Sequence, residues 1–216
     1  MVVNNFTFVS PTSLVFGRGT EKQVGALIRP YAQKVLLLHY GEAFIYTTGL
    51  YDRLVQSLHE ADIDVLELTG IVPNPRIELA RSGIALCRRE QIGFLLAVGG
   101  GSVIDTAKAI SYGSHYDGDP WDLFAKKVPV PQKRIPLGVV LTMAATGSES
   151  NCQAVMTNEE TKEKLGLAVP DGFPQFAILN PELTCTLPRD VYKRQGEEIG
   201  HFLTPIDDCA GVQRIM

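Results

Sequence analysis

Strand-length runs of apolar residues recur along this chain and predict its fold class. KVLLLHY (34–40), GFLLAVG (93–99) and IPLGVVLT (135–142) are almost continuously apolar, and DVLELTG (64–70) and FAILNP (176–181) are predicted as further strands. Continuous rather than alternating runs are typical of parallel strands that helices cover on both faces. The pattern therefore favours a buried parallel sheet.

Helical spacing of apolar residues fills the intervals between these strands. It predicts helices over residues 20–29, 48–60, 75–90 and 102–111, and Ser102 is the expected N-cap of the last one. Strands that alternate with helices indicate an α/β fold with a mostly parallel, doubly wound, Rossmann-like sheet. The segment DPWDLF (119–124) predicts a loop and one helical turn.

Two further segments alternate in the manner of β-hairpins. FTFVS (6–10) and TSLVFG (12–17) flank Pro11 and predict an N-terminal hairpin. CQAVMTNEETKEKLGLA (152–168) predicts a second hairpin, with its polar turn at residues 158–162. Both would add antiparallel pairs beside the main sheet.

Composition narrows the class of protein without identifying it. The 216 residues carry a formal charge of −4 and no block of like charges, so neither nucleic acid nor an anionic membrane is an expected partner. The four cysteines form no C-x-x-C pair, which argues against a zinc site and suits a reducing compartment. The first residues, MVVNNFTFVS, lack the pattern of a signal peptide, and a cytoplasmic location is expected.

The stretch LLAVGGGSVIDTAK (95–108) places three glycines between a buried strand and a helix. Bare backbone before a helix N-terminus suits phosphate, because the first N–H groups of the helix are unpaired and the dipole end is positive. Ile104 stands where the common dinucleotide fingerprint has its third glycine, and the Gly-Lys-Ser/Thr of a P-loop is absent. A tight turn that binds nothing is the alternative.

Two other segments follow predicted strands and would reach the same sheet edge. LTMAATGSESN (141–151) is rich in hydroxyl and small side chains, and VPNP (72–75) holds its backbone extended between two prolines. Ligands of parallel α/β sheets gather at the carboxyl ends of the strands. Each segment alone is also compatible with an ordinary loop.

Taken together, these segments resemble the iron-containing alcohol dehydrogenase family, which shares its fold with glycerol dehydrogenase and dehydroquinate synthase. The likeness is to the branch of butanol dehydrogenases and NADPH-dependent aldehyde reductases, and it covers residues 1–188. The matching segments occur in family order: FGRGT (16–20), VPNP (72–75), GGGSVIDTAK (99–108), DPWDLF (119–124), ATGSESN (145–151) and NPELTCTLP (180–188).

The resemblance implies that the chain binds NAD or NADP. It implies that the glycine turn holds the pyrophosphate, that Lys164 lies near the nicotinamide ribose and that the backbone of Leu179 contacts the cofactor. The positions that match the family's cofactor contacts are Asn74, Gly99, Gly100, Gly101, Ser102, Asp105, Thr142, Thr146, Asn151, Lys164 and Leu179.

The choice between NAD and NADP depends on the segment HYGEAF (39–44), which includes Gly41, Glu42 and Ala43. An acid at the end of a dinucleotide-binding strand bonds the ribose 2′-hydroxyl and repels a 2′-phosphate, so Glu42 would favour NAD. The residue that the family uses for this choice aligns with Ala43, and a small side chain there leaves room for the 2′-phosphate. The sequence therefore slightly favours NADP over NAD.

The family's reaction is hydride transfer between an alcohol or aldehyde and the nicotinamide ring, assisted by iron or zinc. The resemblance implies a small alcohol or aldehyde substrate and, for full-length members, a homo-oligomer. The family's metal ligands, an aspartate and three histidines, follow its TLP motif, and two of them form an Asp-x-x-x-His pair. Neither Asp190 nor Asp207 has a histidine four residues on, and the Glu197/His201 spacing matches the family in no neighbouring residue.

Residues 189–216 are therefore expected to be foreign to the family, from a frame shift or a junction, and the family's helical domain is expected to be missing. Residues 1–188 form the expected dinucleotide-binding domain, with metal ligands absent and catalytic residues unassigned. Two other functions remain open at this point. One is a non-catalytic nucleotide-binding module, and the other is a lyase of the dehydroquinate synthase kind.

Overall fold

The structure, a computed structural model, describes residues 10–185. The strands within this range are β1 (Ser13–Phe16), β2 (Lys34–Leu38), β3 (Asp64–Leu68), β4 (Phe94–Gly99), β5 (Leu137–Leu141), β6 (Gln153–Asn158), β7 (Glu163–Ala168) and β8 (Phe176–Leu179). Six of them form one sheet in the order β1-β8-β5-β4-β2-β3, and all five pairings are parallel. The predicted doubly wound parallel sheet is confirmed.

Helices cover both faces of this sheet. They are α1 (Val24–Ile28), α2 (Ala43–Thr47), α3 (Leu50–Glu60), α4 (Ile77–Glu90), α5 (Gly101–Gly113) and α6 (Pro120–Phe124). Successive residues of β2 point to opposite faces, so Val35 and Leu37 pack with α1 and α3, whereas Leu36 and Leu38 pack with α4 and α5. This two-sided burial is why the strands have continuous apolar runs.

The second predicted hairpin is confirmed as an antiparallel pair of β6 and β7 that lies apart from the main sheet. Its residues Ala154, Met156 and Leu167 are buried in the same core as α4 and α5. The hairpin is therefore fixed to the face of the sheet that carries α5. For the N-terminal hairpin, the second strand is β1, which pairs in parallel with β8, and residues 6–9 of the first lie outside the described residues.

The observed helix starts differ from the predicted ones by one to four residues. The helix expected from residue 48 begins at Leu50, and the unpredicted α2 precedes it. The prediction of Ser102 as N-cap is wrong, because Gly100 occupies that position and its carbonyl already accepts the N–H groups of Val103 and Ile104. Ser102 therefore lies inside the first turn of α5.

The strand order places a topological switch between β2 and β4. From β2 the chain moves outward to β3 and then returns to β4 on the other side of β2. Segments that leave the carboxyl ends of β2 and β4 turn away from each other and leave a crevice, where open α/β sheets bind ligands. None of the helices in residues 10–185 is long and apolar enough to cross a bilayer.

Candidate functional site

The crevice at the switch point is built from the ends of β2, β4 and β5. Its lining includes Tyr40, Gly41 and Glu42 after β2, Val98 on β4 and Thr142 after β5. The Thr142 N–H donates to the Gly99 carbonyl at 3.2 Å, which holds the β5 segment directly beside the glycine turn. The predicted proximity of these segments is therefore observed.

The three glycines of the turn have different physical reasons to lack a side chain. A Cβ at Gly99 would lie 2.5 Å from Val103 Cγ2, so this glycine lets α5 pack close to β4. A Cβ at Gly100 would lie 3.1 Å from Met143 Cε. At Gly101, by contrast, no heavy atom of the described chain lies within 4 Å of such a Cβ. Only Gly101 borders open space at the start of α5.

Ser102 and Tyr40 close the turn from the side of β2. Burial raises the pKa of the Tyr40 hydroxyl, and hydrogen bonds to the Ser102 side chain and the Gly100 backbone oppose that rise. The Ser102 side chain therefore lies beside the Tyr40 hydroxyl. Sequence reasoning missed Tyr40, although its place at the end of an apolar strand was a usable signal.

The β2 turn that carries the predicted ribose contacts is held by a buried histidine. His39 is 1% exposed, and its Nδ1 accepts the Gly41 N–H at 3.1 Å. Its Nε2 therefore carries the proton and donates to Glu67 Oε2 at 3.3 Å. Gly41 has a φ of 82°, a conformation that glycine adopts without strain, so histidine and glycine together fix the direction of the chain before Glu42.

We expect the substitution His39→Leu to lower the free energy of unfolding by about 0.5–1.5 kcal/mol, because the hydrogen bond from the Gly41 N–H to the buried His39 ring is lost. Urea unfolding would measure the loss. His39→Asn is the matched variant, since its Oδ1 can take the place of Nδ1, and it should recover part of the stability. Equal losses in both variants would contradict the assigned role of Nδ1.

The hydroxyl-rich segment after β5 is attached to α5 by a network of buried polar groups. Asp105 Oδ1 accepts from the Ser148 hydroxyl at 2.5 Å, and Asp105 Oδ2 accepts from the Val155 N–H at 3.0 Å. The Lys108 ammonium donates to Ser148, to Asn151 Oδ1 at 3.0 Å and to a backbone carbonyl. Lys108 is fully buried. The sequence did not single it out as a site residue, because its apolar neighbours in AKAI (107–110) are typical of an ordinary core helix.

Two predicted contacts meet at the outer wall of the site. Lys164 on β7 donates to Asn74 Oδ1 at 2.7 Å, which links the hairpin to the VPNP loop after β3. Asn74 has a φ of 57°, and both side chains are exposed. Thr146 is also exposed, and its carbonyl accepts from Asn151 Nδ2 at 3.3 Å.

Three of the predicted contacts lie at the periphery of the crevice: Glu42, Ala43 and Leu179. Glu42 precedes α2 and Ala43 is its first residue, and both are exposed beside the crevice. Leu179 ends β8, which β5 separates from the glycine turn, and its carbonyl accepts the Gly17 N–H at 3.1 Å. That carbonyl is therefore already engaged in extending the β1–β8 pairing.

The described residues do not offer a metal centre. Within residues 10–185, no group of three or more His, Cys, Asp or Glu side chains is placed to hold a metal ion. The Glu197/His201 spacing lies outside the described residues.

Comparison with known proteins identifies one family. The family model for iron-containing alcohol dehydrogenase matches residues 11–181. A probable NADH-dependent butanol dehydrogenase 1 of Bacillus subtilis is 49% identical over 188 residues, which are 87% of this chain and 48% of the relative. The NADPH-dependent aldehyde reductase YqhD of Escherichia coli is 39% identical over 188 residues, 86% of this chain and 48% of that protein.

Solved structures agree with the sequence relatives. The crystal structure of NADH-dependent butanol dehydrogenase A from Thermotoga maritima superposes with a TM-score of 0.82 and 41% identity. The match covers 86% of this chain and 46% of that structure. The chain thus spans about half the length of the relatives it matches.

Proposed function

This chain belongs to the iron-containing alcohol dehydrogenase family, and we propose that its residues 1–188 are the dinucleotide-binding domain of an oxidoreductase that interconverts primary alcohols and aldehydes with NAD(P). The observation that carries the proposal is the glycine turn at the N-terminus of α5, which borders open space at the switch point of a parallel sheet. Open α/β sheets bind nucleotides at this position. The names of the relatives support oxidoreduction over the lyase alternative.

The residues around the crevice fit a dinucleotide. Gly101 leaves room for a phosphate to approach the first N–H groups of α5, whose positive dipole end favours an anion. Tyr40 and Thr142 form the walls of the crevice, and the exposed ammonium of Lys164 would face a ribose or phosphate near Asn74. When bound, the nicotinamide ring supplies the hydride acceptor or donor, and these side chains would position it.

For the chain as it stands, we propose a cofactor-binding half without turnover. The family's Asp-x-x-x-His metal pair has no counterpart after Pro188, and we infer that residues 189–216 do not continue the family domain. The alternative, a nucleotide-binding module with a role of its own, makes the same prediction for turnover. We also place the protein in the cytoplasm and expect its full-length relatives to be homo-oligomers.

Titration with NADH and NADPH, followed by nucleotide fluorescence, tests the proposal. We expect the wild-type chain to bind both weakly and NADPH at least as well as NADH, because Ala43 leaves room for a 2′-phosphate. Glu42→Gln should improve NADPH binding about two- to fivefold, since it removes a carboxylate near that phosphate. Binding of neither nucleotide would refute the proposed function.

The same variant can also show that the predicted preference for NADP is wrong. A sharp loss of NADH affinity in Glu42→Gln, with no gain for NADPH, would show that this carboxylate bonds the ribose hydroxyls. NAD would then be the cofactor, as the name of the Bacillus subtilis relative suggests. Glu60→Gln is a matched control, because Glu60 lies at the far end of α3 and should leave both affinities unchanged.

A further inference from the structure

A buried lysine connects the two segments that carry most of the proposed cofactor contacts. Lys108 lies in the middle of α5, and its side chain is fully buried. Its ammonium donates to Ser148 Oγ at 3.2 Å, Asn151 Oδ1 at 3.0 Å and the Gln153 carbonyl at 2.7 Å. Ser148 and Asn151 belong to the segment that joins β5 to β6, and Gln153 is the first residue of β6.

The hydrogen-bond pattern specifies the charge states of the network. Lys108 has three acceptors, which match the three N–H donors of an ammonium, and both oxygens of Asp105 accept, as a carboxylate requires. Burial lowers the pKa of Lys108 to about 8, and the nearby Asp105 carboxylate opposes this. Burial also raises the pKa of Asp105, opposed by hydrogen bonds from Ser148 and Val155 and by the Lys108 charge. Below pH 8 the Lys108 amine is protonated, and the two hydrogen bonds that Asp105 accepts favour its carboxylate form.

The polar atoms of Asp105 and Asn151 are engaged inside the protein. Asp105 receives one hydrogen bond on each oxygen, from the Ser148 hydroxyl and the Val155 N–H. Asn151 Oδ1 accepts from Lys108 and from the Gln153 N–H at 2.9 Å, and its Nδ2 donates to the Thr146 carbonyl. The two side chains are therefore held in place by hydrogen bonds within the protein.

We propose that Lys108 is a positioning residue, which acts through Asp105, Ser148 and Asn151 to hold residues 146–153 against α5 at the edge of the dinucleotide site. In this arrangement Asp105, Ser148 and Asn151 link the Lys108 ammonium to the edge of the site. The network also attaches the start of the β6–β7 hairpin, and with it Lys164, to the helix that receives the phosphate. The inference rests on the proposed function only for its effect on cofactor binding.

Amide hydrogen exchange of the 216-residue chain without nucleotide tests the structural part. In Lys108→Met, Asn151 Oδ1 and Asp105 Oδ2, which accept the N–H groups of Gln153 and Val155, lose the ammonium that holds them in place. We therefore expect amide exchange in residues 146–155 to become at least about tenfold faster. Exchange in β2 and α3, on the other side of the sheet, should change much less. Unchanged exchange in residues 146–155 would overturn the proposal, whatever the chain binds.

Arg88→Met is the matched control. The Arg88 guanidinium donates to the carbonyls of Gly113, Ser114 and Tyr116 at the opposite end of α5, so it too is a cation with three acceptors. This variant should leave exchange in residues 146–155 and NADH affinity within about twofold of wild type, as independent sites do. An equal effect of Arg88→Met and Lys108→Met would show general destabilisation and overturn the positioning role.

A double-mutant cycle on NADH binding separates positioning from direct contact. We expect Lys108→Met to weaken binding about tenfold and Asp105→Asn by less, and we expect the double variant to bind no more weakly than Lys108→Met alone. If Lys108 and Asp105 act independently on the cofactor, the two losses multiply, and that result would overturn the proposal. Failure of the wild-type chain to bind NADH would instead count against the proposed function, and the exchange result would still decide the role of Lys108.

A buried carboxylate without its cation is costly, so Lys108→Met alone can fail to fold. In that case the double variant Asp105→Asn/Lys108→Met, which leaves no unpaired charge, is compared with Asp105→Asn. Faster exchange in residues 146–155 of the double variant supports the proposal. Equal exchange in the two variants overturns it.

Discussion

Gly101→Val is expected to weaken NAD(P)H binding about 10- to 100-fold while leaving the fold intact. The valine side chain would enter the open space at the start of α5, where the proposed pyrophosphate approaches the backbone. Steric overpacking of this kind costs about 1–3 kcal/mol, which corresponds to the expected loss of affinity. Nucleotide fluorescence measures the affinity, and thermal unfolding shows that the fold is retained.

Gly101 gives a cleaner test than its neighbours in the turn. Gly100→Val should also weaken binding, but its Cβ would press on Met143, and a side chain at Gly99 would clash with Val103. The control is Ala85→Val, which adds the same branching at an exposed position of α4 and should leave affinity unchanged. Unchanged affinity in Gly101→Val would remove the glycine turn from the binding site.

The second prediction with a large effect is that this chain catalyses no turnover. Alkoxide stabilisation by a metal is worth several kcal/mol, and each 1.36 kcal/mol changes a rate tenfold, so its loss lowers turnover on the order of a thousandfold or more. The family's metal-ligand pair has no counterpart in residues 189–216. We therefore expect no NAD(P)H-linked oxidation of butanol or reduction of butanal, with added iron or zinc.

A full-length relative, the NADH-dependent butanol dehydrogenase A of Thermotoga maritima, is the positive control for that assay. Its turnover shows that metal, nucleotide and substrate are supplied in usable form. Metal-dependent turnover by the purified 216-residue chain would contradict the expectation. Glu197, His201 and Asp207 would then be the first residues to replace.

The strands could be predicted because burial on both faces leaves a local trace in the sequence, as KVLLLHY shows for β2. The separate roles of the glycines could not, because they depend on Val103 and Met143, which only the folded chain brings near. Sequence also placed Ser102 at the N-cap, but the turn of the folded chain puts Gly100 at that position.

The candidate site, too, could be predicted from the sequence only in part. Its position after β2, β4 and β5 follows from the strand pattern, because the carboxyl ends of parallel strands share one edge. The pairing of Lys164 with Asn74 depends on how the β6–β7 hairpin packs, and no spacing in the sequence encodes it. Lys108 was hidden for a similar reason, since a lysine among apolar residues of a helix is ordinarily exposed.

The pairing of β1 with β8 constrains how the chain folds during synthesis. Ser13 pairs with Phe176, near opposite ends of the described chain, so β1 leaves the ribosome long before its partner exists. At about 5–20 residues per second, the wait is on the order of ten seconds or more. During that time the unpaired backbone N–H and C=O groups of β1 stay exposed to other nascent chains or to chaperones. A stop codon before β8 would make this transient exposure permanent.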